Sequence, residues 1–279
     1  MRETTPISPG EFAKFQEFFY RKTGLLFTEA KRYFVDRRLA ERMQATGSAS
    51  FRDYFTLLRF QASGTELQAL VNLMTVNETY FYREQYQFKC LVDSMLDEVA
   101  RTKKPGRPIR IWSVPCATGE EPYTLAIHLL EHWAQVDAFE IEILASDIDT
   151  AALDAARAGI YAARAVQYVP MTVRRRYFTE LGDDRWQIIP ELRRSIEFTR
   201  VNLHDRAEVA RNGRFDVIFC RNLLIYFDEH SRRQAAESFF DVLYPGGFIG
   251  LGHSESMSRI SSLFNVRRFP DAIVYQKPR

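Results

Sequence analysis

The sequence predicts an α/β protein with a mostly parallel β-sheet, preceded by a small helical unit. From residue 109 onward, short apolar runs alternate with amphipathic segments, an order typical of parallel strands joined by helices on both faces. Residues 8–75 instead place apolar side chains at helical spacing. With 279 residues, of which 46% are hydrophobic, the chain can bury one large core and a smaller one.

The helical unit is predicted from its start and stop signals. Three helix starts are expected, at Ser8-Pro9 and at the capping-box pairs Ser50 with Asp53 and Ser63 with Glu66. A further helix is expected from Glu29 to Ala45. We assign residues 1–75 to an N-terminal helical domain, 76–90 to a connector that contributes to the cofactor site, and 91–279 to the main domain.

The main domain is predicted element by element from its apolar runs and breakers. A helix near Gln85–Arg101 precedes the strands, and further helices are expected after Gly119, from Thr150, and from Asp228 to Tyr244. The expected strands are Ile109–Val114, Ile141–Ser146, Phe215–Cys220, Phe248–Gly252 and Ala272–Gln276. Two segments on either side of Pro190, Trp186–Ile189 and Arg193–Thr199, predict a short antiparallel insertion at about residues 180–200.

The turn after the first strand, SVPCATGEEP, is the most informative segment. A dinucleotide-binding turn needs GxGxxG so that backbone N–H groups approach a pyrophosphate. Here Gly119 is followed by Glu120 and Glu121, whose charges would repel a diphosphate. S-adenosylmethionine has a nucleoside, a sulfonium and an ammonium but no phosphate. The loop therefore favours this cofactor over NAD.

Two further strand ends are expected to share a crevice with this loop. The second strand ends at Asp147, where a Rossmann-like fold places the carboxylate that holds a ribose diol. Asn222 follows the third strand. Because ligands bind outside the carboxyl ends of strands in open α/β sheets, Gly119, Asp147 and Asn222 should converge. Taken singly, Asp147 could cap a helix and Asn222 could be a turn residue.

Five motifs in order resemble the CheR family, the bacterial chemotaxis receptor glutamate methyltransferases. They are NETYFYRE (77–84), SVPCATGEEPYTLA (113–126), ASDID (145–149), FDVIFCRNLLIYFD (215–228) and GHSES (252–256). The resemblance implies a Rossmann-like class I S-adenosylmethionine-dependent methyltransferase fold with a small all-α N-terminal domain. It also implies methylation of glutamate side chains on chemoreceptor cytoplasmic helices, which yields glutamate methyl esters and S-adenosylhomocysteine.

The resemblance also assigns site residues. The positions that it would place at the cofactor site are Asn77, Thr79, Arg83, Glu121, Asp147, Asn202, Leu203, Asn222 and Leu223. Gly119 is added to the cofactor site from the position of its loop after the first strand. Arg83 and Tyr226 are the catalytic candidates, because a guanidinium fork fits a carboxylate and a phenol can donate a hydrogen bond at the transfer centre. From the residues alone, Arg83 could instead pair with Glu84, and Tyr226 could be a core aromatic.

Substrate docking is assigned to the helical unit. On a helix from Glu29 to Ala45, the side chains of Lys31, Arg38 and Arg42 fall within about 40° of one another. The resemblance implies that this basic stripe faces the glutamate-rich receptor helices. A solvated charged face is the alternative, since acidic residues lie on the same helix.

Composition excludes several other classes. A formal net charge of +2 argues against a nucleic-acid partner. Three cysteines without CxxC spacing indicate neither a disulfide framework nor a zinc site. The N-terminus lacks an apolar signal core, and no apolar run approaches a membrane span of about 20 residues. We therefore expect a cytoplasmic, monomeric protein with no metal and no membrane insertion.

Two motifs point to other enzyme classes but fail on geometry. His128 to His132 spell HxxEH, a zinc-protease pattern, yet the apolar stripe of that helix predicts that both histidines face solvent. The GHSES run resembles a hydrolase nucleophile elbow, but no histidine follows Ser254.

The motifs are also compatible with other functions. The chain could methylate a nucleic acid or a small molecule, or it could be a cofactor-binding scaffold without activity. The compact turn at 181–184 favours the absence of a tether for a receptor C-terminal pentapeptide.

Overall fold

A computed structural model describes residues 7–279 of the chain. In this part, the first unit contains four α-helices around one apolar core. They are α1 (Pro9–Thr23), α2 (Arg32–Thr46), α3 (Phe51–Phe60) and α4 (Thr65–Met74). Ser8 and Glu11 form a capping box at α1, and the Ser50 hydroxyl accepts a hydrogen bond from the Asp53 backbone N–H at α3. Residues 1–6, at the start of the predicted first domain, lie outside the described residues.

Two predicted helix starts in this unit are wrong. Helix α4 follows Gly64, which has a φ of 66°, and the Gln61 side chain rather than Ser63 accepts from the Glu66 backbone N–H (2.6 Å). The Glu66 carboxylate is buried and does not take part in a capping box. A 3₁₀ turn at Glu29–Lys31 precedes α2, so Lys31 is outside the register of the α-helix.

The second unit begins with a long helical stretch and then alternates strands with helices. The helical stretch comprises α5 (Gln85–Cys90), a π-helical segment (Leu91–Met95) and α6 (Leu96–Thr102). The elements that follow are β1 (Ile109–Ser113), α7 (Glu120–His132), β2 (Ile141–Asp147), α8 (Thr150–Ala158), β3 (Ile160–Ala162), α9 (Met171–Tyr177), β4 (Phe178–Gly182), β5 (Arg185–Ile188), α10 (Pro190–Arg194), β6 (Ile196–Arg200), α11 (Arg206–Arg211), β7 (Phe215–Cys220), α12 (Glu229–Val242), β8 (Leu243–Leu251), β9 (Asn265–Arg268) and β10 (Ile273–Gln276).

The main sheet confirms the predicted fold class. Within residues 7–279 it has the strand order β6-β2-β1-β7-β8-β10-β9. The first five strands of this order are parallel, and β10 pairs antiparallel with β8 and β9. Separate apolar clusters cover the two faces of the sheet. The carboxyl ends of β1, β2 and β7 therefore meet at one edge.

The small antiparallel sheet exists, but one predicted strand does not belong to it. Its order is β3-β5-β4. The segment Arg193–Thr199 instead divides between helix α10 and the parallel edge strand β6, which pairs with β2. Pro190 is the first residue of α10, a position that suits proline because the first helical N–H needs no partner. The insertion is therefore built from segments on either side of α9.

His128 is buried, whereas the sequence predicts that it faces solvent. Its ring is 2% exposed and lies 4.8 Å from the Tyr82 ring and 5.2 Å from the Phe88 ring. Helix α5 packs on this side of α7, a contact that the stripe of α7 alone cannot reveal. Burial lowers the pKa of His128 to about 4. Residues 7–279 contain no group of three or more potential ligands that could hold a metal, and no helix long and apolar enough to span a membrane.

Candidate cofactor and catalytic site

A cleft with a volume of about 310 Å³ opens at the carboxyl edge of the main sheet, between the two units. It brings together most of the residues that the sequence assigns to the site. These are Lys31, Asn77, Thr79, Arg83, Glu121, Asp147, Asn202, Leu203, Asn222, Leu223 and Tyr226. Gly119, Arg38 and Arg42 do not line the cleft.

Asp147 lies at the end of β2 with its carboxylate almost completely buried. Oδ2 accepts a hydrogen bond from the Ala117 backbone N–H (2.8 Å), and Oδ1 accepts one from the Asp149 backbone N–H (2.9 Å). Burial raises the pKa of Asp147 to about 6, although these hydrogen bonds oppose the shift. Each oxygen retains a lone pair, so the group can still accept from the hydroxyls of a ribose.

The turn after β1 does not offer its backbone to a phosphate. In a dinucleotide-binding loop, free backbone N–H groups face the pyrophosphate. Here the Ala117 N–H already donates to a carboxylate, and a phosphate at that place would lie against Asp147. The geometry fits a nucleoside cofactor without phosphate.

Gly119 has a packing role that the sequence did not indicate. It precedes α7 with a φ of 96°, which favours glycine. An added Cβ would lie 2.9 Å from Ala156 Cβ and 3.0 Å from the Tyr161 hydroxyl oxygen. Gly119 therefore permits close contact with α8 and does not contact a molecule in the cleft.

The two carboxylates after Gly119 differ from the prediction that both repel an anion. Glu120 is buried away from the cleft and accepts a hydrogen bond from Thr118 Oγ1 (2.6 Å). Glu121 lines the cleft, but Arg221 Nη1 lies 2.8 Å from its Oε2 and Ser113 donates to its Oε1 (2.7 Å). Glu121 is therefore part of an ion pair and is not the free charge that the sequence predicts.

Arg221 is a site residue that the sequence analysis missed. Its side chain is 2% exposed, and its Nη2 donates to the Arg83 backbone oxygen (2.6 Å) and lies 3.3 Å from Glu84 Oε2. One guanidinium thus joins a cleft carboxylate to the backbone of the catalytic candidate. Its position directly before Asn222 was the available signal, but a buried partner for Glu121 cannot be read from a sequence.

Arg83 lines the cleft, and its guanidinium does not pair with the neighbouring Glu84. Nη1 donates to the Glu78 backbone oxygen (2.6 Å). The alternative pair with Glu84 does not form, since that carboxylate pairs with Arg221 and contacts His253. Within residues 7–279, Arg83 forms no salt bridge, so its charge is available to an anion in the cleft.

The loop after β7 carries Asn222, Leu223 and Tyr226, and Glu255 holds it in place. Asn222 has a φ of 59°. Glu255 accepts hydrogen bonds from the backbone N–H groups of Asn222 (2.8 Å) and Leu224 (2.7 Å). The Tyr226 side chain is 42% exposed and lines the cleft, which rules out the core-aromatic alternative.

The GHSES turn supplies this glutamate, and its other polar residues lie outside the cleft. His253 is exposed, with Nδ1 3.1 Å from Glu84 Oε1 and Nε2 3.0 Å from Ser254 Oγ. Gly252 is required because an added Cβ would lie 2.8 Å from Asn222 Nδ2 and 2.9 Å from Glu255 Oε2. The turn thus supports the loop after β7.

Asn77, in the connector, and Asn202, in the second unit, are both fixed by hydrogen bonds of their side-chain amides. Asn77 Nδ2 donates to Asp149 Oδ2 (2.7 Å), which also accepts from Thr75 Oγ1 (2.7 Å). Asn202 Nδ2 donates to the Lys22 backbone oxygen (2.7 Å). These amides therefore hold the walls of the cleft together.

The predicted basic stripe is not an exposed cluster. Arg42 forms two hydrogen bonds to the Glu66 carboxylate, at 2.9 and 2.6 Å. Arg38 Nε donates to the Leu73 backbone oxygen (2.5 Å), and its guanidinium carbon lies 3.3 Å from the centre of the Phe34 ring. Lys31 alone of the three is exposed, at the cleft. The arginines bind helix α4 because its buried carboxylate and terminal carbonyl need partners.

Comparisons with known proteins agree with this geometry. Residues 10–75 match the family model described as "CheR methyltransferase, all-alpha domain", and residues 77–273 match "CheR methyltransferase, SAM binding domain". "Chemotaxis protein methyltransferase 2" of Vibrio cholerae is 54% identical, with 98% of this chain and 94% of the relative covered. The protein with the same name in Pseudomonas aeruginosa is 37% identical, with 91% and 89% covered. The chain belongs to the CheR methyltransferase family and is an S-adenosylmethionine-dependent methyltransferase.

Proposed function

We propose that this methyltransferase converts glutamate side chains on the cytoplasmic helices of chemoreceptors into methyl esters. Its relatives carry the name chemotaxis protein methyltransferase. The observation that carries the proposal is Arg83, a guanidinium in the cleft with no carboxylate partner among residues 7–279. A planar guanidinium fork fits a carboxylate and would accept the substrate anion.

Different residues of the cleft would bind different parts of the cofactor. Asp147 would accept from the ribose hydroxyls, and Glu121 with its Arg221 partner would lie against the polar arm of the cofactor. The backbone at Asn202–Leu203 and Asn222–Leu223 would frame the remainder. Bound S-adenosylmethionine supplies an electrophilic methyl group on a sulfonium.

The chain needs no general base for this reaction. A glutamate side chain has an ordinary pKa of about 4.3, so the substrate is already an anion at neutral pH. The residues of the cleft therefore have to orient the carboxylate and exclude water. Arg83 would orient it, and the half-exposed Tyr226 would donate its hydroxyl at the transfer centre.

The mouth of the cleft is the surface that would contact the receptor. Lys31 remains an exposed cation there, and Leu26 and Ile225 expose apolar surface on the same cleft. A helix that carries glutamates could contact both kinds of side chain. We propose that a monomer performs this docking, since every residue that we propose for the substrate and for the cofactor comes to the same cleft of one chain.

The deciding experiment transfers labelled methyl groups to receptor cytoplasmic fragments. We expect label that is released by mild base, as from an ester, and no transfer to fragments in which glutamines replace the candidate glutamates. Base-stable label would reject the ester product and indicate methylation of nitrogen or carbon instead.

Arg83 provides the matched mutational test. Arg83→Ala should nearly abolish transfer in a folded protein, and Arg83→Lys should restore little, because lysine lacks the planar fork. Arg37→Ala, an exposed arginine on α2 outside the cleft, is the control and should keep full activity. Transfer by Arg83→Ala within about threefold of wild type, about 0.7 kcal/mol of barrier, would refute the orienting role.

A further inference from the structure

The connector between the two units carries an aromatic side chain that faces the cleft beside Arg83. Tyr80 lines the cleft, and the guanidinium carbon of Arg83 lies 5.8 Å from the centre of its ring. Tyr168, in the segment between β3 and α9, packs against Tyr80 with ring centres 5.3 Å apart. We propose that this tyrosine pair holds the Arg83 guanidinium in the orientation that receives the substrate carboxylate. The inference rests on the proposed function of Arg83 and names the residues that position it.

A turn in the connector brings Tyr80 and Arg83 together. The turn spans residues 81–84, and Tyr82 within it has a φ of 66°. Phe81 and Tyr82 are buried, so they take the inner side of the turn. The side chains that flank them, Tyr80 and Arg83, remain accessible and lie against each other. The local backbone thus sets the distance between the aromatic ring and the guanidinium.

The insertion that contains the small antiparallel sheet holds the other tyrosine in place. The Phe81 backbone N–H donates to the Ala165 backbone oxygen (3.0 Å), which ties the connector to the insertion. Val166 and Val169 are buried on either side of Tyr168. They fix the backbone of this segment, while the Tyr168 ring stays at the surface against Tyr80. Tyr168 does not line the cleft, so it acts through Tyr80.

Arg83 needs a second contact to fix the plane of its guanidinium. Nη1 donates to the Glu78 backbone oxygen (2.6 Å), and a single hydrogen bond leaves the plane free to rotate about it. The face of an aromatic ring attracts a guanidinium and favours one orientation of its plane. The hydrogen bond and the Tyr80 ring together define the direction in which the remaining N–H groups point.

The tyrosine pair should act most strongly when the substrate is bound. Tyr80 is 37% exposed and Tyr168 is 58% exposed, so water weakens the attraction in the free protein. A receptor helix over the cleft mouth would remove this water and strengthen the contact with Arg83. Transfer requires in-line placement of the carboxylate oxygen against the methyl group, so a misdirected guanidinium lowers the rate of the chemical step. Loss of the pair should therefore lower kcat and leave cofactor affinity unchanged.

Tyr80→Leu and Tyr80→Phe provide the direct test. Tyr80→Leu should lower kcat for methyl transfer to receptor cytoplasmic fragments about fivefold, about 1 kcal/mol of barrier. Its affinity for S-adenosylhomocysteine, measured by calorimetry, should stay within about twofold of wild type. Tyr80→Phe keeps the aromatic face and should restore kcat to within about twofold of wild type. If Tyr80→Phe is as impaired as Tyr80→Leu, the ring does not position Arg83 and the inference is overturned.

Tyr244→Leu is the matched control. Tyr244 is 38% exposed and has Lys103 Nζ 4.9 Å from its ring centre, but it does not line the cleft. This variant removes a tyrosine of similar exposure, also beside a cation, and should keep the kcat of wild type. A loss of kcat equal to that of Tyr80→Leu would show a general effect on the fold and would overturn the positioning role.

A double variant tests whether Tyr168 acts through Tyr80. Tyr168→Leu alone should lower kcat about threefold. Added to Tyr80→Leu, it should cause little further loss, because the ring that it supports is gone. Full additivity of the two losses would show that Tyr168 acts independently, which would overturn its part in the inference.

Arg83→Ala distinguishes failure of this inference from failure of the proposed function. If Arg83→Ala nearly abolishes transfer and Tyr80→Leu keeps the kcat of wild type, the tyrosine pair has no positioning role and the proposed function stands. If Arg83→Ala transfers methyl groups near the wild-type rate, the orienting role of Arg83 is wrong and the inference is overturned with it. A Tyr80→Leu variant that changes only KM for the receptor fragment, or only affinity for S-adenosylhomocysteine, would assign the ring to binding and would also overturn the inference.

Discussion

Cofactor binding should depend on pH through Asp147. Burial raises the pKa of this carboxyl to about 6 in the ligand-free protein, from an ordinary value of 3.8. If the ionised form accepts from the ribose hydroxyls, protonation removes an acceptor, so affinity should fall as the pH falls through the raised pKa. Above that pH, affinity should be constant.

The size of the effect follows from the ionised fraction. With a pKa of about 6, roughly 90% of the molecules are ionised at pH 7 and roughly 10% at pH 5. When only molecules with an ionised Asp147 bind the ligand, the apparent dissociation constant equals the intrinsic constant divided by the ionised fraction. S-adenosylhomocysteine should therefore bind about tenfold more weakly at pH 5 than at pH 7, a loss of about 1.4 kcal/mol.

Calorimetric titration with S-adenosylhomocysteine between pH 5 and 8 tests this predicted loss of affinity, with Asp147→Asn as the control. The asparagine cannot ionise, so its affinity should be low and independent of pH over this range. Arg37→Gln, outside the cleft, should reproduce the wild-type curve. A flat wild-type curve, or the same slope in Asp147→Asn, would refute the assignment of the ionised carboxylate to the ribose.

Six further variants test the supporting contacts and the docking surface. Arg221→Met should destabilise the fold by about 3–5 kcal/mol, measured by denaturant unfolding, since it leaves buried carboxylates unpaired; Arg221→Lys should retain more stability yet lower kcat, and an unchanged kcat would contradict its hold on Arg83. Glu255→Gln should lower kcat more than cofactor affinity, because a single amide oxygen cannot replace the carboxylate that holds the loop after β7; equal kcat would remove Glu255 from this role. Gly119→Ala should lower the melting temperature, with a cost of about 1–3 kcal/mol from its positive φ and the contact with α8; a neutral result would contradict that packing. Lys31→Glu should raise KM for receptor fragments at low salt and Arg37→Glu should not, and equal effects would move the docking surface away from the cleft mouth.

Much of the fold was predictable because the strands of a parallel sheet are continuous apolar runs. The segments Ile141–Asp147 and Phe215–Cys220 are mostly apolar, with Glu142 and Asp216 near their starts, and both are strands of the main sheet. Strand β6 was misassigned, since Ile196–Arg200 alternates apolar and polar residues like an antiparallel strand. The pattern arises because Ile196 and Phe198 pack against the core on one face of the sheet, whereas Glu197 on the other face of this edge strand is exposed.

Residues at strand ends were also predictable, whereas side-chain partners were not. Asp147 is the last residue of β2 and Asn222 lies just beyond β7, and topology alone brings them to one cleft. The partner of Glu121 is Arg221, one hundred residues away, and that of Arg42 is Glu66 on another helix. Such pairs depend on how elements pack in three dimensions. Helical spacing could therefore place the α2 arginines on one side but could not show that this side faces α4.

The acidic loop after β1 favours the right cofactor for a reason that differs from the predicted electrostatic one. Glu120 does not reach the cleft, and Arg221 neutralises Glu121, so these two charges do not repel a phosphate as free anions. We expect the discrimination to come instead from the hydrogen bond in which the ionised Asp147 carboxylate takes the Ala117 N–H that a phosphate would need. Discrimination against phosphate-bearing nucleotides should therefore weaken below about pH 6, where this carboxyl becomes neutral.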